Sequence, residues 1–315
     1  MSPRARLVGD VGGTNARFAL VGADGVPEPP TVFPTGGHPT LVAAVRAFLD
    51  ARGSPALESA AIAVANPVTG DLAKLTNNDW SFSISATRDA LGLDVLHVVN
   101  DFTALALSVP YLPADEREQV GRGEARPRHA IAVLGPGTGL GVSGLVPCGE
   151  RWSALAGEGG HVSFAPQDAR ERELLARLAA RFDHVSLERL LSGPGLVNVA
   201  TALREIDALE PVALTPAEIT ARAASGQDPV CVETLELFCR ALGACAGDLV
   251  LSLGAEGGCY VGGGIVPRLG ERFARSGFRA AFEAKGRMRP YLERIPTFVI
   301  RSPWPALAGA ARLLA

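Results

Sequence analysis

Apolar and polar residues alternate along the first third of the chain with the periods of strands and helices. Two apolar runs, residues 6–11 and 16–21, flank a short turn of glycine and polar residues, which predicts a β-hairpin. Apolar residues recur at helical spacing over residues 41–49, and a glycine then ends that helix. Residues 60–65 and 95–99 predict two further strands. This order of elements predicts an α/β fold.

A similar pattern opens the second half of the chain. Strand-like runs at residues 130–134 and 140–146 flank another glycine-rich turn, and the likeness of the two hairpins indicates a duplicated architecture. Between the halves, Pro110 and Pro113 are followed by a polar, charged stretch that runs to Arg128, which we interpret as the crossing between two domains. A strand at 257–261, three glycines and a helix at 265–273 continue the α/β alternation.

The composition argues against several classes of binding site and binding partner. The 315 residues include 36 glycines but only two lysines, Lys74 and Lys285, neither of which lies in the glycine-rich loop of P-loop nucleotide-binding proteins. The formal net charge of −3 argues against a nucleic-acid-binding face. We expect no membrane span and no signal peptide, because charged residues and glycines interrupt every apolar run. The five cysteines lack metal-ligand spacing, and three lie in one helical stretch as expected for buried thiols, so we expect a cytoplasmic protein.

Three glycine-rich turns are candidates for binding a nucleotide. Gly9–Asn15 ends a strand, and its small residues allow backbone N–H groups to converge on a phosphate, with Asp10 able to hold hydrated Mg²⁺. Gly135–Gly141 has the same form, and two such turns could clamp a polyphosphate. Gly262–Gly264 lies between a strand and a helix, where glycines admit a flat adenine or ribose. The structural alternatives are ordinary hairpin turns for the first two and tight strand–helix packing for the third.

Four further polar residues could carry the chemistry. Asp101 follows the strand at 95–99 and could act as a general base in phosphoryl transfer or, alternatively, as a helix N-cap. Glu158 and His161, in a Glu-Gly-Gly-His turn, are suited to adjacent sugar hydroxyls, and an ordinary loop histidine is the alternative. Glu188, by sequence alone, is better explained as a solvated glutamate in the first turn of a helix.

Taken in order, these motifs resemble those of the bacterial glucokinases, the ATP-dependent family of the actin/hexokinase-like superfamily. The resemblance rests on Gly9–Asn15, Thr76-Asn77, Asn100-Asp101, Gly137–Gly139, Gly157–His161, Ser192–Gly195 and Gly262–Pro267. It implies an α/β fold of two actin/hexokinase-like (ribonuclease H-like) domains, with mixed β-sheets flanked by helices and the active site in the interdomain cleft. We therefore predict a small domain over residues 1–110, completed by a helix at 301–315, and a large domain over 111–300. The resemblance also implies a homodimer.

The resemblance assigns roles to individual residues. It makes Asp101 the catalytic base for transfer of the γ-phosphoryl group of ATP to the 6-hydroxyl of D-glucose. The residues expected to bind glucose are Asn77, Asn100, Asp101, Glu158, His161 and Glu188. The residues expected to bind ATP are Gly9, Asp10, Val11, Gly12, Gly13, Thr14, Gly137, Thr138, Gly139, Gly262, Gly263 and Gly264. Asp10 would also hold Mg²⁺ through water.

Two other functions are compatible with parts of this pattern. A kinase for another hexose, such as mannose or an N-acetylhexosamine, is one, because the glutamates and the histidine do not separate these sugars. A sugar-sensing regulator is the other, but it predicts a helix-turn-helix where the first strand already begins, near Arg6. The related repressor/open-reading-frame/kinase family adds a cysteine-rich zinc motif, and none follows His161. Pro136 and Ser163 depart from the expected family pattern.

Overall fold

Strands and helices alternate along residues 4–75 and 80–315, the part of the chain that this computed structural model describes. The strands are β1 (Ala5–Val11), β2 (Asn15–Val21), β3 (Thr31–Pro34), β4 (Leu57–Val64), β5 (Leu72–Lys74), β6 (Ser81–Ser83), β7 (Val95–Asn100), β8 (Arg117–Val120), β9 (Ile131–Pro136), β10 (Leu140–Cys148), β11 (Arg151–Ala156), β12 (Cys259–Val261) and β13 (Thr297–Ile300). The α-helices are α1 (Leu41–Asp50), α2 (Ile84–Leu91), α3 (Asp101–Ser108), α4 (Ala169–Ala179), α5 (Gly193–Ile206), α6 (Pro216–Ser225), α7 (Pro229–Leu253), α8 (Val266–Leu269), α9 (Glu271–Arg275), α10 (Phe278–Glu283), α11 (Arg289–Leu292) and α12 (Pro305–Ala311). The predicted α/β class is confirmed.

The first sheet is mixed and has the strand order β3-β2-β1-β4-β7. β1 and β2 form the predicted antiparallel hairpin, whereas β1, β4 and β7 run parallel. The carboxyl ends of the three parallel strands therefore share one edge of the sheet, which is where α/β proteins commonly bind ligands. The turn at residues 12–14 follows β1 at this edge, and Asp101 follows β7.

The second sheet repeats this arrangement with the order β11-β10-β9-β12-β13-β8. β9 and β10 form an antiparallel hairpin, β9, β12 and β13 run parallel, and β8 is antiparallel to β13. The turn at residues 137–139 follows β9, and glycines 262–264 follow β12, so both lie at the carboxyl edge. The shared strand order matches the duplication that the two sequence hairpins indicated.

The residues pack into two compact units. The first comprises residues up to Pro113 together with Trp152–Ala156 and Ser302–Ala315. The second comprises Ala114–Arg151 and Gly157–Arg301. α12, near the end of the chain, thus belongs to the same unit as the first sheet.

The two faces of the first sheet are covered by different helices. Leu7 of β1 is buried in a core that includes Phe48 of α1. The next residue, Val8, is buried on the opposite face in a cluster with Leu307 of α12. This alternation follows from the two-residue period of a strand and explains why β1 is apolar on both faces.

Each unit contains a close helix crossing at a glycine. In the first unit, a Cβ on Gly309 of α12 would overlap the carbonyl oxygen of Ala104 in α3. In the second unit, a Cβ on Gly243 of α7 would overlap the carbonyl oxygen of Phe278 in α10. Only glycine permits backbones to approach this closely.

α7 is the central helix of the second unit and spans 25 residues. It begins at the N-cap Asp228, whose Oδ1 accepts the Val230 N–H at 3.0 Å. Cys231, Cys239 and Cys245 are buried along it, as predicted for free thiols. Across residues 4–75 and 80–315, no helix combines the length and apolarity that crossing a bilayer requires.

Candidate functional site

The turn after β1 is held in place by a threonine from a neighbouring segment. Thr35, only 2% exposed, donates its Oγ1–H to the Gly13 carbonyl at 2.8 Å and its N–H to the Thr14 carbonyl at 3.0 Å. Gly12 closes the turn by donating its N–H to the Asn15 carbonyl at 3.0 Å. These contacts hold the Gly13 and Thr14 carbonyls in hydrogen bonds to Thr35. The turn is therefore suited to presenting N–H groups, rather than carbonyls, to a ligand.

Gly9 and Val11, also predicted to contact nucleotide, are buried within β1. A Cβ on Gly9 would lie 2.7 Å from Cδ1 of Ile62 and 3.1 Å from the ring of Phe18. Core packing therefore explains the glycine at position 9, and its contact with nucleotide stays a prediction.

Asp10 forms an ion pair across the hairpin. Its Oδ2 accepts from Arg17 Nη1 at 3.1 Å, and the two residues face each other in the β1–β2 register. The Arg17 guanidinium also lies over the Trp304 ring, 5.4 Å from the centroid. Burial raises the pKa of Asp10, and the positive charge of Arg17 opposes that rise. A half-buried acid with a cationic partner thus lies beside the first turn.

Asn100, rather than Asp101, is the N-cap of α3. Its Oδ1 accepts the N–H groups of Phe102 at 2.9 Å and Thr103 at 3.3 Å. Asp101 is the first helical residue and is half-buried, and its Oδ1 accepts the Phe102 N–H at 2.8 Å. The capping alternative for Asp101 is therefore wrong, since its neighbour performs that function.

In the second unit, the turns after β9 and β12 pack directly against each other. Gly262 donates its N–H to the Leu134 carbonyl at 2.9 Å, and Ile265 donates to the Pro136 carbonyl at 3.2 Å. A Cβ on Gly135 would lie 2.5 Å from the Gly262 carbonyl carbon. Tight packing against the turn after β12 thus accounts for Gly135. By contrast, Gly264 has open space around its Cβ position.

A pocket of about 880 Å³ begins at these two turns. Thr138 and Gly264 lie at its turn side, and residues from the start of α5 and from α6, α7, α8 and α9 line the rest. Arg268 and Arg272 add positive charge that the lysine-free turns do not carry. Its volume is within the range usual for small-molecule sites, and its polar groups cluster near the glycine turns.

The turn with Glu158 and His161 lies against the start of β10. A Cβ on Gly160 would overlap the Leu140 carbonyl oxygen, so close approach requires glycine here. The turn closes through the His161 N–H, which donates to the Glu158 carbonyl at 3.0 Å. Both side chains are exposed. The glycines therefore place an exposed carboxylate and an exposed imidazole beside β10.

Glu188 lies next to the second turn. Its Oε2 accepts the Leu140 N–H at 3.0 Å, and its side chain is half-buried. Backbone pairing positions this segment, since Leu187 donates its N–H to the Val162 carbonyl at 2.9 Å. Glu188 does lie in the first turn of a short 3₁₀ helix, Leu187–Arg189, but its carboxylate is bonded to the Leu140 N–H rather than only solvated.

The predicted site residues thus form one group within each unit. At the carboxyl edge of the first sheet lie Asp10, the turn at 12–14, and Asn100-Asp101. In the second unit, Glu188 and the Glu158–His161 turn contact the start of β10, next to the turn at 137–139. Asn77 lies outside the residues that the structure describes.

Comparisons with known proteins identify the family. The family model described as glucokinase matches residues 7–315. The glucokinase of Aromatoleum aromaticum is 54% identical over 313 residues, which cover 98% of this chain and 94% of that protein. The chain belongs to the glucokinase family. The resemblance inferred from the motifs is confirmed.

Solved glucokinase structures share the fold. A glucokinase from an Antarctic psychrotroph superposes with a TM-score of 0.90 at 37% identity, covering 99% of both chains. A ROK family glucokinase from Streptomyces griseus, in complex with glucose and AMPPNP, has a TM-score of 0.65 at 22% identity over 98% of each chain. The second likeness supports the fold alone.

Sequence reasoning did not single out three polar residues at this glucokinase-family site. Thr35 is 22 residues from the carbonyl that it holds, and Arg268 and Arg272 reach the pocket through the packing of short helices. None of them belongs to a motif with a recognisable spacing. A Thr-Gly-Gly triplet at residues 35–37 was the one local signal, and it is too common to indicate a function.

Proposed function

We propose that this member of the glucokinase family transfers the γ-phosphoryl group of MgATP to the 6-hydroxyl of D-glucose, giving glucose 6-phosphate and ADP. The observation that carries the proposal is the shared pocket at the turns 137–139 and 262–264, with Glu188 hydrogen-bonded beside the first of them. The proposal also draws on the glucose and AMPPNP named for the Streptomyces griseus relative.

Nucleotide binding is assigned mainly to backbone groups. Adenosine occupies the pocket at Gly264, and the phosphates lie on the turns 137–139 and 12–14, with Arg268 and Arg272 close to the pocket wall. Backbone N–H groups and a helix N-terminus favour phosphate, and α5 begins at Gly193, which donates its N–H to the Gly137 carbonyl at 2.8 Å.

The residues near the first turn fit a magnesium ion that arrives with ATP. Mg²⁺ usually takes one or two carboxylates together with substrate phosphates and waters, and Asp10 supplies such a carboxylate. Within residues 4–75 and 80–315, no three His, Cys, Asp or Glu side chains form a metal cage. When bound, Mg²⁺ supplies positive charge to the phosphates.

Sugar binding and proton transfer are assigned to the remaining polar residues. Asn100 offers its amide, and Glu158, His161 and Glu188 offer hydrogen-bonding groups to the glucose hydroxyls, with Asn77 as a further contact. Asp101 orients the 6-hydroxyl and accepts its proton as the oxygen attacks phosphorus. We further propose that the protein acts in the cytoplasm as a homodimer at the entry to glycolysis.

The deciding experiment is a coupled assay of hexose 6-phosphate formation with MgATP over a panel of sugars that includes glucose, mannose and N-acetylglucosamine. Glucose should give the highest kcat/KM. A higher kcat/KM for another hexose would reassign the substrate, and saturable sugar binding without phosphorylation of any sugar would favour the regulator. Light scattering during size-exclusion chromatography tests the dimer.

A further inference from the structure

The side chain of Glu188 is held against the second glycine turn. Its Oε2 accepts the Leu140 N–H at 3.0 Å, and a Cβ on Gly139 would overlap the same oxygen. The backbone of this glutamate is fixed as well, because its carbonyl accepts Ser192 Oγ–H at 2.8 Å. The backbone of Glu188 is thus tied to the N-cap of α5, and its carboxylate is tied to the turn that is assigned to phosphate.

A side chain at position 139 would displace the Glu188 carboxylate from this contact. Among the described residues other than its two chain neighbours, only Glu188 has atoms, the carboxyl carbon and Oε2, within 4 Å of the Cβ position on Gly139. The backbone at Gly139 is not in the left-handed region, so conformational strain does not explain the residue. The remaining reason for a glycine is the space that the carboxylate occupies.

A carboxylate fixed through one oxygen presents the other in a defined direction. A hydrogen bond from a backbone N–H to an ionised oxygen is charge-assisted and therefore stronger than a neutral one. It removes rotamer freedom from a glutamate before a ligand binds, and this lowers the entropy lost on binding. Preorganisation of this kind raises affinity for a sugar hydroxyl at Oε1.

We propose that Gly139 and the Leu140 N–H position the Glu188 carboxylate for glucose, so that glucose affinity is set partly by the phosphate turn. This inference rests on the proposed function, in which Glu188 binds the sugar. Gly139 is a positioning residue in this scheme. Its substitution acts on glucose although it lies in a turn assigned to ATP.

The test is the equilibrium dissociation constant for glucose, measured by calorimetry without nucleotide, in the full-length protein. Gly139→Ala should displace the carboxylate and weaken glucose binding about tenfold, the effect of losing one good hydrogen bond to a charged group. Gly70→Ala is the control, because it lies outside the proposed binding turns and its Cβ position has open space. That variant should bind glucose within about twofold of the wild type, a change of less than 0.5 kcal/mol.

A double-mutant cycle separates positioning from general damage to the turn. Glu188→Asp alone should weaken glucose binding, because the shorter side chain retracts from Leu140. In the Gly139→Ala background the same change should cost much less, since the contact is already broken. Additive effects would contradict the proposal, as would equal losses of glucose affinity in Gly70→Ala and Gly139→Ala. Melting temperatures without ligand confirm that each variant is folded.

The outcome is distinguishable from failure of the proposed function. If the wild type phosphorylates glucose but Gly139→Ala binds glucose as tightly as the wild type, only the positioning role is overturned. If the wild type neither binds nor phosphorylates glucose, the proposed function fails and the inference fails with it.

Discussion

The carboxyl edges of the two sheets have the same strand plan but different chemical groups. In each sheet an antiparallel hairpin precedes two strands parallel to its first strand, and a glycine-containing turn follows that first strand. The first edge carries ionisable side chains, Asp10, Arg17 and Asp101. The second edge carries two glycine-rich segments, residues 135–139 and 262–264, which pack against each other. The same strand plan thus presents ionisable side chains at the edge of the first sheet and glycine-rich backbone at the edge of the second.

The two turns are also held by different means. A neutral hydroxyl, Thr35 Oγ1, holds the first turn through the Gly13 carbonyl. A carboxylate, Glu188, holds the second through the Leu140 N–H, and Gly193 holds it through the Gly137 carbonyl. In the proposed function, the first unit supplies the general base Asp101, and the second supplies the glycine turns and Glu188.

The largest effect on activity should come from replacing Asp101, the proposed general base, which lies in the first unit. Asp101→Asn keeps the shape and most hydrogen bonds of the side chain but removes its ability to accept a proton. We expect kcat to fall about 10³-fold while the glucose dissociation constant changes only several-fold. Steady-state kinetics and calorimetry measure the two quantities. Asp115→Asn, an exposed carboxylate in the second unit, is the control. A kcat within tenfold of the wild type would place the base elsewhere.

Substitutions at the two glycine helix crossings compare how much each unit's packing contributes to the free energy of unfolding. Gly309→Ala and Gly243→Ala should each lower the free energy of unfolding by about 3 kcal/mol, because a methyl group has no room at either crossing. Only Gly309→Ala should also reduce kcat, since α12 packs on α3, the helix that begins at Asp101. Calorimetric melting and assays at low temperature separate the two effects.

Gly70→Ala serves as the control for both glycine variants, because its Cβ position has open space. It should melt within about 0.5 kcal/mol of the wild type, as is usual for surface changes. Equal losses of kcat in the two variants at the crossings would mean that the active site does not depend specifically on α3.

A smaller effect is expected from the hydroxyl that holds the first turn. Thr35→Val removes the hydrogen bond to the Gly13 carbonyl and should cost about 1 kcal/mol, which appears as a roughly fivefold rise in KM for ATP. Glucose affinity should stay unchanged, in contrast to Gly139→Ala. Thr201→Val, which loses a hydroxyl bond within α5, is the control. A rise in the glucose dissociation constant with unchanged KM for ATP would contradict the assignment of this turn to phosphate.

Local patterns predicted the strands and turns well because these depend on neighbours in sequence. The hairpin at residues 6–21 and the glycine turns after β9 and β12 follow from apolar alternation and glycine placement. The contact of Glu188 could not be predicted, since it depends on backbone pairing between residues 162–164 and 185–187. Local chemistry also left Asp101 as either a general base or an N-cap, and the helix start showed that the cap is Asn100. Tertiary pairing therefore supplied what local spacing could not.

The N-caps of α3 and α7 differ in their response to acid. Asn100 caps α3 with an amide, whereas Asp228 caps α7 with a carboxylate that also pairs with Arg204 at 2.5 Å. Burial opposes the ionisation of Asp228, but hydrogen bonds from Cys231 and the charge of Arg204 outweigh it and lower its pKa below the usual 3.8. Of these two caps, only the one in the second unit titrates.

A carboxyl group whose pKa is lower in the folded chain stabilises the fold in its ionised form. That stabilisation is complete above the unfolded pKa, about 3.8, and is lost as the pH falls through the lower folded value. Asp228→Asn should therefore lower the free energy of unfolding by about 1 kcal/mol at pH 7 and by less at pH 3. All three tryptophans belong to the first unit, so urea unfolding followed by circular dichroism should show the difference more clearly than tryptophan fluorescence. A difference that is the same at pH 3 and pH 7 would mean that the cap and the Arg204 pair do not depend on the charge of Asp228.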